Sequence, residues 1–205
     1  MKITPDYPGL TKGSYFYELQ GDLISEAEIE IDLGISQLRV TGSVMAATTI
    51  QAGGGIEAGW GIEAGWGIEA GLGIKAGQGI KAGQGIKAGQ GIEAGLGIEA
   101  GLGIEAGWGI EAGLGIEAGL GIEAGWGIEA GQGILSGLSI RCKKVLKFKF
   151  NLFAGTAIWK QSESSECEIE ALKFEGGEVK HGTIKLLEQP EDSSEADSKE
   201  MKEGE

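Results

Sequence analysis

The chain has 205 residues, enough for one elongated domain or two small ones. Forty glycines are too many for an ordinary globular core, yet a 41% hydrophobic content and fixed glycine spacing exclude a disordered linker. A net charge of −14 argues against direct binding to a nucleic-acid backbone or an anionic membrane, since both require a basic surface.

Residues 1–37 open without the apolar core of a secretory signal, and no apolar run approaches a membrane span. With only two cysteines, Cys142 and Cys167, the expected setting is the cytoplasm, with both thiols reduced; a disulfide between them is the alternative. Alternation in Glu28-Ile29-Glu30-Ile31-Asp32-Leu33 predicts a strand, and the segment would form an N-terminal β cap.

Residues 38–140 are governed by a six-residue repeat. From Ile56 to Ile134 an isoleucine recurs every six residues, fourteen times, in the unit Gly-Ile-Glu/Lys-Ala-Gly-X with X restricted to Trp, Leu or Gln. The phase continues outward through Leu38, Val44 and Ile50 on one side and Ile140, Leu146, Leu152 and Ile158 on the other. Glycine gaps alternating four and two exclude the collagen triplet. Two or three glycines per hexad, each costing about 1 kcal/mol, exclude an α-helix. A short strand fits, with Ile and Ala inward and Glu or Lys outward, followed by a corner at Gly-X-Gly.

Three hexads per coil are read from the side-chain variation. Lys75, Lys81 and Lys87 form one block between Glu57, Glu63 and Glu69 before it and Glu93, Glu99 and Glu105 after it. The X residues repeat as Leu96, Leu102, Trp108 and Leu114, Leu120, Trp126. An eighteen-residue coil stacks each lysine between two glutamates, whereas a twelve-residue coil would stack Lys75 on Lys87. The predicted fold is therefore all-β, a parallel β-solenoid with an N-terminal β segment and a small C-terminal β unit. At about 4.8 Å per coil, residues 38–140 make a prism roughly 29 Å long.

Aliphatic residues at six-residue spacing, three hexads to the coil, resemble the left-handed parallel β-helix of the hexapeptide-repeat proteins. That family places a small residue two positions before the aliphatic one, where this chain has X, including Trp60, Trp66, Trp108 and Trp126. A thin triangular core cannot hold so many indoles, so X is expected outside or at a widened corner. The resemblance raises acyl transfer on a histidine base, or a three-histidine metal site. The single histidine, His181, lies outside the repeat, in a segment that reads as a solvated turn. Neither a catalytic residue nor a metal or cofactor site is expected.

Residues 141–187 read as a C-terminal β cap or small domain of three or four strands. Glu175-Gly176-Gly177-Glu178 is predicted as a hairpin turn, and Phe148, Phe150, Phe153, Trp159 and Phe174 as a small second core. The basic stretch Arg141, Lys143, Lys144, Lys147 and Lys149 is expected to pair with Glu166–Ala171. Residues 188–205 are acidic and aromatic-free and read as a disordered tail.

Two features point to binding. Glu57, Glu63, Glu69, Glu93, Glu99, Glu105, Glu111, Glu117, Glu123 and Glu129, against three lysines, place a net −7 on residues 56–134. Such columns either form a solvated face that blocks strand aggregation or meet a basic protein partner. The second role is similar to that of acidic pentapeptide-repeat solenoids that occupy the DNA site of a topoisomerase, decoys found among phage and plasmid inhibitors. If Trp60, Trp66, Trp108 and Trp126 face outward, they mark a partner surface or an edge for homo-oligomer assembly.

Overall fold

The computed structural model describes residues 1–157 and 163–188. The chain winds into a three-sided parallel β-solenoid in which every repeat hexad contributes one three-residue strand, Ile and Ala buried and the residue between them outward. On the first face Ile56, Ile74, Ile92, Ile110 and Ile128 stack in register. The second carries Ile62, Ile80, Ile98, Ile116 and Ile134. The third carries Ile68, Ile86, Ile104, Ile122 and Ile140 and is ten strands deep. Residues eighteen apart are thus neighbours along the axis, and one continuous apolar core runs from Ile3 to Ala171.

Parallel stacking extends beyond the perfect repeat at both ends. Tyr17, Leu23 and Ile29 stack under Leu38, Val44 and Ile50, twenty-one residues later rather than eighteen. The extra length is taken up between Ile31 and Gln37, where Gly34 adopts a φ of +63° that favours glycine. Leu10–Lys12 then pairs antiparallel with Phe16–Leu19 and closes that end. At the other end Val145–Ala154 is one long strand that crosses a corner, laying Leu146 over Ile128 and Leu152 over Ile134.

Three expectations for residues 141–187 need correction. Glu175–Glu178 is no hairpin: it lies inside the strand Lys173–His181, which runs parallel to Val145–Ala154 around the same corner. The paired glycines serve close stacking, since a Cβ on Gly176 or Gly177 would fall within 2 Å of the Phe148 or Phe150 carbonyl oxygen. The phenylalanines build no second core: Phe148 is buried in the solenoid core, while Phe150 projects at a corner. Only Arg141 of the basic stretch finds the predicted acidic strand, opposite Glu170, whereas Lys147 lies between Glu129 and Glu175. Ile158, Trp159 and 189–205, the tail apart from Glu188, lie outside the described residues.

The corners explain the glycines, and the explanation is steric. Each corner hydrogen-bonds to the coil before it: Gly77 N–H donates to the Ala58 carbonyl at 3.0 Å and Gln78 N–H to the Trp60 carbonyl at 2.9 Å. That ladder presses the first corner glycine onto a neighbouring carbonyl, so a Cβ on Gly83 would sit 2.0 Å from the Gly65 oxygen. The second corner glycine is free in most coils, a Cβ on Gly85 meeting the Gly103 oxygen at 3.5 Å, but at Gly127 and Gly133 it would lie 2.9 and 2.7 Å from the next coil's carbonyl oxygen. Ser139, Val145 and Asn151 hold this position at the C-terminal end of the stack. Neither glycine class in the repeat has positive φ. Gly83→Ala should therefore lower stability by about 1–3 kcal/mol, whereas Gly85→Ala should stay within about 0.5 kcal/mol of the parent. Thermal and denaturant melts of the two variants, which flank the same Gln84, compare them directly.

Candidate interaction surface

The outward residues form three axial columns. On the first face the order is Arg39, Glu57, Lys75, Glu93, Glu111, Glu129, Lys147, Glu175. The third face reads Glu30, Gln51, Glu69, Lys87, Glu105, Glu123, Arg141, Glu170, Lys185. The second differs, with Met45, Glu63, Lys81, Glu99 and Glu117 followed by Leu135 and Phe153.

Each lysine of the central block commits to the glutamate one coil later. Lys75 reaches Glu93 at 2.7 Å, Lys81 reaches Glu99 at 2.8 Å and Lys87 reaches Glu105 at 3.1 Å. Those hydrogen bonds raise the pKa of Lys75 and Lys81 above the ordinary ammonium value. Glu57, although stacked under Lys75, forms its ion pair instead with Arg39, Nε lying 3.0 Å away, and accepts a hydrogen bond from Gln37 Nε2. Further along, glutamates meet glutamates: Glu93 and Glu129 flank Glu111, Glu117 follows Glu99, and Glu123 follows Glu105. Among the described residues no ion pair or hydrogen bond engages the side chains of Glu111, Glu117 or Glu123.

The X residues lie on the three corners and point out. Trp60, Trp66, Trp108 and Trp126 are 57–61% exposed, and Leu96, Leu102 and Leu114 are also exposed. The tryptophans are not all together. Trp60 and Trp66 stand on different corners, while Trp108 and Trp126 are consecutive on a third, joined by a 2.8 Å backbone hydrogen bond. Lys144 continues that corner and rests its ammonium 4.2 Å from the centre of the Trp126 ring.

Between each corner ridge and the next outward column runs a trough floored by the second glycines. The troughs measure about 560 Å³ on the first face, 830 Å³ on the second and 480 Å³ on the third. Residue patterning alone missed them, because the signal is an absence: a glycine kept where a side chain would fit.

His181 ends its strand beside Gly182, with Nδ1 at the Ala154 carbonyl, away from the repeat faces. Among the described residues no three His, Cys, Asp or Glu side chains converge as a metal site requires, and no helix is long and apolar enough to cross a membrane. Cys142 and Cys167 are both free thiols.

By fold, the molecule is a parallel β-solenoid with coils of eighteen residues. No protein-family model, curated protein or solved structure matches the chain.

Cys142 occupies an inward Ala position, and burial pushes its thiol pKa up to about 11. An unfolded thiol ionises near pH 8.5. Between the two values the unfolded state binds fewer protons than the folded one, so stability should fall as pH rises from about 9 to about 11. Below that window the effect vanishes. Urea melts across this pH range, compared with Cys142→Ala, isolate the contribution of this group.

Proposed function

We propose that the chain is a non-catalytic acidic scaffold that binds a basic protein surface, in the manner of an inhibitor that imitates nucleic acid. The observation that carries the reading is the axial charge density. From Ile92 to Ala124 every strand presents one outward glutamate. Three per coil of about 4.8 Å give one carboxylate per roughly 1.6 Å of axis. Duplex DNA carries one phosphate charge per about 1.7 Å. Half of these carboxylates are engaged by lysines of the preceding coil, and Glu111, Glu117 and Glu123 are left for a partner. A hexapeptide-repeat origin fits the eighteen-residue coil, and a phage or mobile-element inhibitor working in the cytoplasm fits the charge. The exposed Trp and Leu ridges favour a rival reading, assembly of several copies through the corners.

The test is binding to purified DNA-processing enzymes, beginning with a type II topoisomerase, by size exclusion and DNA competition. The proposal expects a complex that excludes DNA and weakens by at least about tenfold between 50 and 200 mM salt. The variant Glu111→Gln/Glu117→Gln/Glu123→Gln should weaken it comparably. Absence of any complex at low salt, or one indifferent to salt and to this variant, would sink the reading. A concentration-dependent mass that disappears in Trp108→Ser/Trp126→Ser would favour self-assembly instead.

A further inference from the structure

The three troughs are not equivalent, and the one on the first face combines two recognition chemistries. One wall carries Trp108 and Trp126, the only corner in the repeat with tryptophans on consecutive coils. The other carries Glu93, Glu111 and Glu129, the longest uninterrupted run of stacked glutamates among the described residues. The floor is bare backbone at Gly91, Gly109 and Gly127. At Gly91 and Gly109 a Cβ would lie 3.5 and 3.4 Å from the next coil's carbonyl oxygen, so sterics do not impose glycine there, whereas at Gly127 it would lie 2.9 Å from the Val145 oxygen.

The chain also shows what these walls accept. Its own Lys144 lies over the Trp126 ring at 4.2 Å, and Lys147 is ion-paired with Glu129. Lys75 closes the other end on Glu93. Between these cations Trp108 and Glu111 stand without one: no cation–π contact falls on Trp108 and no ion pair on Glu111 among the described residues.

From this we infer that the first-face trough is a docking site for an extended, arginine-rich segment of a partner protein. The inference rests on the proposed binding of a basic protein and names the part of it that would be read. A guanidinium is the side-chain head that both stacks on an indole and pairs with a carboxylate through a planar fork. The three coils that carry Glu93, Glu111 and Glu129 measure about 14 Å, room for roughly four residues of extended chain at about 3.3 Å each. A floor without side chains lets a backbone lie close to it.

The probe is fluorescein-labelled nona-arginine, with nona-lysine as the comparison, titrated against the full chain by anisotropy at low salt. Leucine is native to the X row at Leu96 and Leu114, so Trp108→Leu/Trp126→Leu should fold, which circular dichroism checks. The expected result is tighter binding of arginine than lysine, weakened at least about tenfold by Trp108→Leu/Trp126→Leu and again by Glu111→Gln. Trp60→Leu/Trp66→Leu, on the other corners, should change it by less than about twofold. Equal loss in both tryptophan pairs, loss in neither, or no binding of nona-arginine would overturn the inference. The broader reading is judged separately. An enzyme complex that persists in Trp108→Leu/Trp126→Leu leaves the acidic scaffold standing without this site. Trough-dependent peptide binding with no enzyme complex does the reverse.

Discussion

The structure depends on how closely one corner lies on the next. Backbone hydrogen bonds do not stop at the ends of the three-residue strands. They continue through the first corner glycine and through X, so each coil is held to its neighbour around much of its perimeter. That continuity leaves no room for a Cβ at the first glycine, which would sit 2.0–2.2 Å from a neighbouring carbonyl oxygen throughout the repeat. It also forbids slippage. A strand slipped by one residue in register would turn its isoleucine outward and lose its corner bonds together.

Once register is fixed, chemistry becomes columnar. A residue repeated every eighteen positions faces itself, which suits isoleucine in the core and burdens glutamate on the surface. The magnitudes show which matters for stability. Each fully buried isoleucine contributes about 1.5–3 kcal/mol, and three enter the core per coil. An exposed ion pair such as Lys81–Glu99 is worth about 0–1 kcal/mol. The carboxylate columns are therefore not what holds the solenoid together. Lys75, Lys81, Lys87, Arg39 and Lys147 relieve repulsion at intervals and leave the stretch between them negative.

Much of this architecture was legible because the repeat writes its geometry twice, once in the isoleucines and again in the Glu–Lys–Glu alternation. The eighteen-residue coil was legible in the block Lys75, Lys81 and Lys87 and in the repeat of the X residues, since that period places Lys75 between Glu57 and Glu93. Other features resisted. Gly176-Gly177 has the composition of a hairpin, and only the position of the Phe148 and Phe150 carbonyls shows that the pair serves stacking. Residue type alone did not place X, because Trp and Leu suit a core as well as an exposed ridge; the bulk of four indoles against a thin triangular core was what pointed outside or to a widened corner. Nor could periodicity foretell that Glu57 would turn from Lys75 to Arg39, since that choice depends on a side chain outside the repeat.

The two glycines of each corner thus carry different information. The first is dictated by the fold and would be expected in any solenoid stacked this closely. The second is not, since a Cβ there meets only ordinary contacts in most coils, and the flanking coils use Ser43, Thr49, Ser139 and Val145 in its place. Its effect is to leave a backbone-floored trough between a ridge of indoles and a ridge of carboxylates. Both ridges stand on a frame whose spacing is set by the backbone ladder, so a partner would meet side chains already in position, and less ordering would oppose association. In the coils where only the first glycine is required, keeping both gives each face a feature that stability does not account for.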